Sequence, residues 1–300
     1  MSDLTFIDLF AGIGAMRLAL ESAGWTCKWA NEINPYAAQI YRKHFGNKEL
    51  IEGDIRRVKP EDIPHVDMFS GGFPCQSFSI AGGGEGLEDP RGTLFYEICR
   101  LAKAKQPKLL FLENVSGLLS NHKGETFFKI LQRLDEIGYD VEWQSFNSKY
   151  FGIPHNRERV FIIGHSRKAR TQQIFPISTY VKSFNPKTPE KMRLIQVGNV
   201  DTKGHNSIWG RVYSPEGICA NLNAKGGGLG AKTGLYLVGE NKVRRLTPLE
   251  CERVQGLPDI WTKYGNTNIS DAQRYLCIGN AVTTNVVAFL GEKLKHSLLC

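Results

Sequence analysis

Paired cysteines and long apolar runs are both missing from this chain of 300 residues. Its seven cysteines are scattered, with no C-x-x-C pair, which argues against a disulfide framework and against structural zinc. No apolar stretch approaches the ~18 residues that a membrane span needs. The first residues lack a basic region ahead of an apolar one, so no signal peptide is expected. The composition therefore indicates a cytoplasmic protein with no metal and no membrane partner.

Acidic residues are scarce in one segment. Between Arg167 and Arg245 the chain has 14 Lys and Arg but only four Asp and Glu, whereas the remainder has 24 basic and 26 acidic residues. The formal net charge of +8 therefore originates in this segment. Such asymmetry favours a lobe that binds a polyanion, attached to a nearly neutral body. A solvated basic surface without a partner explains the charge equally well.

Strands and helices alternate from residue 5 to residue 165. This pattern predicts an α/β fold with a doubly wound, mostly parallel, Rossmann-like sheet. The alternation then gives way to a segment rich in Lys, Asn, Thr, Pro and Gly, and helical patterns return from Leu246 onward. We predict a main domain at 1–166, a second, smaller basic lobe at 167–243, and a segment at 244–300 that returns to the main domain.

A glycine turn follows the first strand, and acidic residues follow the next two. Ala11-Gly12-Ile13-Gly14 separates the strand from a helix, an arrangement that receives nucleotide-like cofactors because the backbone approaches the ligand closely. Arg17 stands where a dinucleotide fingerprint has its third glycine, so a cofactor with only a carboxylate at that end fits better than a pyrophosphate. Glu32 is placed to bond ribose hydroxyls, and Asp54 to bond an adenine amine.

Cys75 lies in the loop that follows the fourth strand. Two glycines and Pro74 precede it, and a glycine-rich stretch follows it. A thiol presented rigidly at the carboxyl end of a strand, beside a loop that could close, suggests a nucleophile. A cysteine considered alone is more often a buried packing group.

Charged residues also mark the next strand ends. Glu113 directly follows four apolar residues, a position suited to general-acid work at the carboxyl edge of a sheet. Arg157 and Arg159 flank Glu158 just before another strand, and together they could orient a carboxylate or grip a phosphate. A surface ion-pair cluster is the alternative for this triplet.

Taken together, these segments resemble the cytosine-5 DNA methyltransferases of bacterial restriction–modification systems. Eight matching segments keep the family's order over almost the whole chain, which makes the resemblance specific. They are Asp8-Leu9-Phe10-Ala11-Gly12-Ile13-Gly14, Asn31-Glu32, Gly53-Asp54-Ile55, Gly72-Phe73-Pro74-Cys75-Gln76, Glu113-Asn114-Val115, Arg157-Glu158-Arg159, Arg245-Leu246-Thr247-Pro248-Leu249-Glu250-Cys251 and Gly279-Asn280-Ala281-Val282.

The resemblance implies an enzyme that transfers a methyl group from S-adenosyl-L-methionine to carbon 5 of a cytosine flipped out of double-stranded DNA. Cys75 would add to carbon 6 of the ring, Glu113 would act at ring nitrogen 3, and Arg159 with Arg157 would hold the base and that carboxylate. The residues expected to bind the cofactor are Phe10, Ala11, Gly12, Ile13, Gly14, Glu32, Ile33, Asp54, Ile55, Pro74, Asn280, Ala281 and Val282.

The basic lobe would supply phosphate contacts and a few side chains that read base edges, with Arg211 as the candidate guanine reader. The family pattern is broken at Ile33, where a tryptophan often covers the adenine, and at Ile208 and Asn221 in the lobe. A short GC-rich palindrome such as GCGC is the expected target. The residues expected to contact DNA are Gln76, Ser79, Arg91, Arg211, Tyr213, Asn221, Lys225, Gly226 and Gly227.

Three other functions fit parts of the sequence. A tRNA methyltransferase of the same fold would have a shorter second lobe. A nicotinamide oxidoreductase would use the glycine turn and Glu32 but would leave Cys75 and Glu113 unexplained. A catalytically inactive DNA-binding module would not need those two residues either. We therefore expect a monomeric DNA methyltransferase, acting independently of any cognate restriction endonuclease.

Overall fold

The computed structural model describes residues 3–73, 93–177, 192–200, 210–224, 230–263 and 269–298. Its larger sheet has seven strands. They are β1 (Thr5–Leu9), β2 (Thr26–Glu32), β3 (Leu50–Glu52), β4 (Met68–Gly72), β5 (Leu109–Val115), β6 (Tyr139–Asn147) and β7 (Glu158–Ser166). The helices between them are α1 (Ala15–Ser22), α2 (Pro35–Phe45), α3 (Thr93–Lys105) and α4 (Glu125–Glu136).

The strand order is β3-β2-β1-β4-β5-β7-β6. Strands β1 to β5 are parallel, which confirms the predicted doubly wound sheet. Strand β7 instead runs antiparallel between β5 and β6, because the short connection after β6 has no crossover helix to reverse the chain. The chain turns in opposite directions from β1 and β4, so their carboxyl ends form the crevice where open α/β sheets bind ligands.

Both faces of the larger sheet are covered. Helices α3 and α4 pack on one face, and α1 packs on the other together with α7 (Thr284–Leu298). Trp25 Nε1 donates a hydrogen bond to the Gly291 carbonyl at 2.9 Å, and a Cβ at Gly291 would lie 3.0 Å from Leu20. The last segment also contains α5 (Pro248–Arg253) and α6 (Asp271–Asn280).

The second lobe contains a sheet of four strands in the order β11-β10-β9-β8. They are β8 (Gln196–Asn199), β9 (Arg211–Tyr213), β10 (Leu235–Val238) and β11 (Lys242–Arg244). Tyr213 and Ile218 are buried and contribute to a small core, with the Tyr213 ring 5.9 Å from that of Tyr236. The boundaries 167–243 and 244–300 remain predictions. No helix among the described residues could cross a membrane.

Candidate active site

The glycine turn after β1 is held in a left-handed conformation. Phe10 and Gly12 have φ of 57°, and Gly14 has φ of 79°. A Cβ at Gly14 would lie 2.3 Å from the Phe45 ring. This position therefore requires glycine both because of its positive φ and because a side chain would collide with Phe45. Trp261 Nε1 donates a hydrogen bond to the Ile13 carbonyl at 3.0 Å. The backbone of the turn is therefore presented at the crevice, while the side chain of Ile13 is buried in the core.

Glu32 fastens the end of β2 to the glycine turn. Its Oε2 accepts a hydrogen bond from Gly12 N at 2.7 Å, and its Oε1 accepts one from Asn34 N at 2.6 Å. Burial raises the pKa of Glu32. The adjacent Ile33 side chain is 62% exposed at this edge.

The Asp54 carboxylate forms an ion pair with Arg56, two residues further along the chain. It caps the short helical turn Ile55–Arg57, and Arg56 Nε donates to its Oδ2 at 2.8 Å. The hydrogen bond from Arg56 lowers the pKa of Asp54. The Ile55 side chain is buried in the core, so only its backbone is left to face a ligand.

Asp8 is a buried carboxylate beside the glycine turn. It is 1% exposed, and neither of its oxygens has a hydrogen bond of full geometry among the described residues, although the Arg17 N–H and the Ser70 hydroxyl lie near enough to lower its pKa slightly. Burial raises the pKa of Asp8 to about 8. An unpaired buried carboxylate next to a helix N-terminus suits a ligand that carries both positive and negative groups, as an amino-acid moiety does. Together with the carboxylates of Glu32 and Asp54, it fits a cofactor made of a nucleoside and an amino acid.

Replacing Asp8 by Asn should remove a pH dependence of the stability of the cofactor-free protein. The folded-state pKa is raised above the unfolded value, so between about pH 4 and pH 8 the folded state binds the extra proton and stability falls as the pH rises. Each pKa unit corresponds to about 1.4 kcal/mol, which makes the expected loss several kcal/mol. Urea denaturation of both proteins at pH 5 and pH 8 measures it. Equal pH dependence in the two proteins would contradict the unpaired state of Asp8.

Glu113 and Arg159 form an ion pair near the carboxyl end of β5. Arg159 Nε lies 3.1 Å from Glu113 Oε1, and both side chains are nearly buried. Gly72 is the register partner of Glu113 on β4, and a Cβ there would lie 3.0 Å from Glu113 Oε2. The glycine therefore leaves room for the carboxylate where the chain leaves β4 towards Cys75.

Asn114 ties β5 to the start of that loop. Its Nδ2 donates a hydrogen bond to the Phe73 carbonyl at 2.9 Å, and its Oδ1 accepts one from Val115 N at 2.8 Å. Phe73 is the last described residue before Cys75, and it lies next to Gly72, the register partner of Glu113. Of the predicted site residues, Pro74, Cys75, Gln76, Ser79, Arg91, Lys225, Gly226 and Gly227 lie outside the described residues.

Arg157 binds backbone carbonyls rather than the Glu113 carboxylate. Its guanidinium donates to the carbonyls of Leu222 at 3.3 Å, Gly279 at 3.2 Å and Ala281 at 2.7 Å. These bonds lie in a buried junction of the second lobe with the end of α6. The prediction that Arg157 holds the base beside Arg159 does not match this geometry, because all of these acceptors belong to the junction.

The Asn280-Ala281-Val282 segment follows directly from that junction. Asn280 ends α6 and is exposed, whereas Val282 is buried. Gln255, which is fully buried, donates from Nε2 to the carbonyls of Ile278 at 2.8 Å and Ala281 at 2.9 Å. The segment is thus held on one side by Arg157 and on the other by Gln255.

The described residues that are expected to contact DNA lie in three different environments. Arg211 is partly exposed at the start of β9. The structure corrects the prediction that Tyr213 contacts DNA, because its side chain is only 6% exposed and packs in the core of the lobe rather than on its surface. Asn221 lies in the junction, where its Oδ1 is 3.5 Å from an Arg157 nitrogen.

Three positioning residues were missed by sequence reasoning. Asn114 was visible as the amide after Glu113, but its bond to Phe73 joins residues 41 positions apart. Gln255 and Trp261 each bind a backbone carbonyl of the site from a distant part of the chain. In the sequence, the only signals were the amide side chain of Gln255 and the position of Trp261 in a polar stretch.

Comparison with known proteins identifies the class. The profile of the C-5 cytosine-specific DNA methylase family matches residues 4–208 and 179–296. The chain belongs to this family and is an S-adenosylmethionine-dependent DNA cytosine-5 methyltransferase. It is 38% identical to the Type II methyltransferase M.HhaI of Haemophilus parahaemolyticus, over 99% of this chain and 96% of that one. It is 39% identical to M.NgoBI of Neisseria gonorrhoeae, over 94% of this chain and 90% of that one.

Solved structures show the same fold at lower identity. The Dnmt2 methyltransferase of S. pombe superposes with a TM-score of 0.78 and 20% identity, covering 98% of each chain. The methyltransferase EhMeth of Entamoeba histolytica superposes with a TM-score of 0.73 and 20% identity, covering 99% of each. The predictions of a methyltransferase fold and of DNA methylation are confirmed.

Proposed function

We propose that S-adenosyl-L-methionine binds in the crevice between β1 and β4. The glycine turn would receive its amino-acid end, Glu32 its ribose hydroxyls and Asp54 its adenine amine, with residues 280–282 closing the other side. The buried Asp8 carboxyl group supports this assignment, since it has no fully formed hydrogen bond among the described residues and would meet the ammonium group of that amino-acid end beside the turn. The cofactor supplies an electrophilic methyl group.

We further propose that Cys75 is the nucleophile. Carbon 5 of cytosine is a poor nucleophile, and addition of a thiolate to carbon 6 moves electron density onto carbon 5 and the ring nitrogen. Glu113 would donate a proton or hydrogen bond at nitrogen 3, and Arg159 would hold that carboxylate and the carbonyl of the base. Once carbon 5 carries the methyl group that the cofactor would supply, loss of the carbon 5 proton, elimination of the thiolate and return of the nitrogen 3 proton would restore the ring. The observation that carries this proposal is the ion pair of Glu113 with Arg159, beside the strand that leads to Cys75.

The cytosine must leave the double helix for this chemistry. Carbon 6 of a stacked base is out of reach of a thiol in a protein loop, so the target nucleotide would be flipped into the site. The basic lobe would supply most of the binding energy through phosphate contacts.

The test is methyl transfer from radiolabelled S-adenosylmethionine to duplex DNA and, separately, to tRNA. Label in 5-methylcytosine of the DNA alone is the expected result. Label in tRNA alone would instead indicate the RNA-modifying relative of the same fold. Bisulfite sequencing of DNA from expressing cells then gives the target, for which a palindrome such as GCGC is our hypothesis.

We also propose that the protein works as a monomer in the cytoplasm and protects DNA from a cognate endonuclease that acts independently. The Type II methyltransferases that it resembles support the protective role. Sedimentation of the purified protein tests the monomer. Digestion of methylated plasmid with endonucleases of known specificity tests the protection.

Arg211→Ala should relax or abolish the choice of DNA site. Arg211 is partly exposed on the basic lobe, and a bidentate contact with guanine contributes about 1–3 kcal/mol of discrimination. Bisulfite sequencing and methylation rates of the variant measure the change. Lys242→Ala is the matched control, because it removes an exposed cation from the same sheet and should weaken binding without altering the site. An unchanged methylation pattern and rate in Arg211→Ala would exclude it as the reader.

A further inference from the structure

Arg157 is a buried cation shared by two parts of the protein. One of its terminal nitrogens binds the Leu222 carbonyl, and the other binds the carbonyls of Gly279 and Ala281. Leu222 lies between β9 and β10 of the second lobe, and Ala281 belongs to the proposed cofactor site. One rigid guanidinium therefore bridges backbone atoms of both.

The two sides of this junction also meet directly. A Cβ at Gly279 would lie 2.6 Å from Ala224 N, so the backbone at the end of α6 packs directly against the backbone of the lobe. On the lobe side, Leu222 N donates to His155 Nε2 at 3.2 Å, and Cys219 N donates to the Pro154 carbonyl at 2.6 Å. Residues 219–224 are thus fixed to the stretch that carries Arg157.

The segment that contains residues 279–281 is also held by hydrogen bonds from Gln255. Gln255 binds the Ile278 and Ala281 carbonyls, and its Oε1 accepts a hydrogen bond from Thr283 Oγ1 at 2.9 Å. Thr283 Oγ1 in turn accepts one from Ser148 Oγ at 2.8 Å. The Ala281 carbonyl is therefore bound by both Gln255 and Arg157, and Arg157 also binds the Leu222 carbonyl.

We infer that Arg157 is a positioning residue that couples occupancy of the cofactor site to the placement of the DNA-reading lobe. This inference rests on the proposed function. Arginine suits the role because its planar fork presents donors in two fixed directions, which a lysine ammonium cannot reproduce. Coupling of this kind is reciprocal, so cofactor binding should tighten DNA binding by the factor with which DNA tightens cofactor binding.

Hydrogen–deuterium exchange of the full chain tests the inference, with S-adenosylhomocysteine as the probe. In the unaltered protein, saturating probe should slow exchange of the amides of residues 12–14, and should slow those of residues 219–224 by about tenfold, within the usual range of allosteric coupling. In Arg157→Lys the protection at 12–14 should persist, while that at 219–224 falls below about twofold. The same variant should lose the effect of the probe on the dissociation constant of methylatable duplex DNA.

Arg253→Met is the matched control. Arg253 is an exposed arginine in α5 whose partner is Asp259, so removing it should leave both protections unchanged. If Arg157→Lys does not fold, Gly279→Ala gives the second test, since the added Cβ pushes Ala224 away and should also uncouple the two segments.

Two results would overturn the inference alone. They are equal protection of residues 219–224 in Arg157→Lys and the unaltered protein, and protection at 12–14 without any at 219–224 in the unaltered protein. Absence of protection at both places would overturn the proposed cofactor site, and this inference with it.

Discussion

DNA carrying 5-fluorocytosine at the target position is expected to trap the protein covalently at Cys75. After thiolate addition to carbon 6 and methylation of carbon 5, fluorine cannot leave as a cation, so the elimination step stalls. The adduct should require S-adenosylmethionine, should survive denaturing electrophoresis, and should map by mass spectrometry to the peptide that contains Cys75. This is the largest effect that the proposed mechanism implies.

Cys75→Ala should form no adduct and yet bind the target DNA, because affinity comes chiefly from phosphate contacts of the basic lobe. The other cysteines are internal controls. Cys27, Cys99, Cys219, Cys251 and Cys277 are all buried, and burial raises the pKa of each thiol, so none of these five is expected to react. An adduct on any of them, or one that persists in Cys75→Ala, would refute the mechanism.

Glu113→Gln should lower kcat by about 10²–10⁴-fold, the usual contribution of a positioned general acid. The amide keeps the shape of the side chain beside Gly72 but loses the proton-donating carboxyl group and the charge that pairs with Arg159. Cofactor affinity should change by less than about threefold, under about 0.7 kcal/mol. Single-turnover methylation and cofactor titration measure the two quantities separately.

Glu32→Ala provides the opposite pattern. Its carboxylate holds Gly12 N in the glycine turn, and its loss should weaken cofactor binding by about tenfold or more, as for hydrogen bonds to charged groups. Weaker cofactor binding in Glu113→Gln than in Glu32→Ala would mean that the two roles are reversed. Equal rates for Glu113→Gln and the unaltered protein would remove Glu113 from the chemistry.

The sequence predicted the parallel part of the sheet because each strand carries a local signal. The apolar run before Glu113 and the glycine turn after Leu9 both mark strand ends, and parallel strands bring their carboxyl ends to one edge. The antiparallel β7 was not predicted, since its direction depends on the length and path of a connection rather than on its own residues.

The roles of individual polar residues were harder to foresee. Arg157 and Arg159 look equivalent in the sequence, yet only Arg159 pairs with Glu113. Their difference arises because Arg157 precedes β7 and meets the carbonyls of Leu222, Gly279 and Ala281, which are distant in the sequence. Tyr213 was expected to contact DNA, and the pairing of β9 with β10 places it in the core of the lobe.

The packing of α7 on α1 has a consequence for synthesis of the protein on the ribosome. Residues 15–22 of α1 lie beside the glycine turn, but the apolar face of that helix is covered by residues 284–298. Because residues 284–298 are translated after the second lobe, we expect the apolar face of α1 to stay uncovered until that lobe has been synthesised.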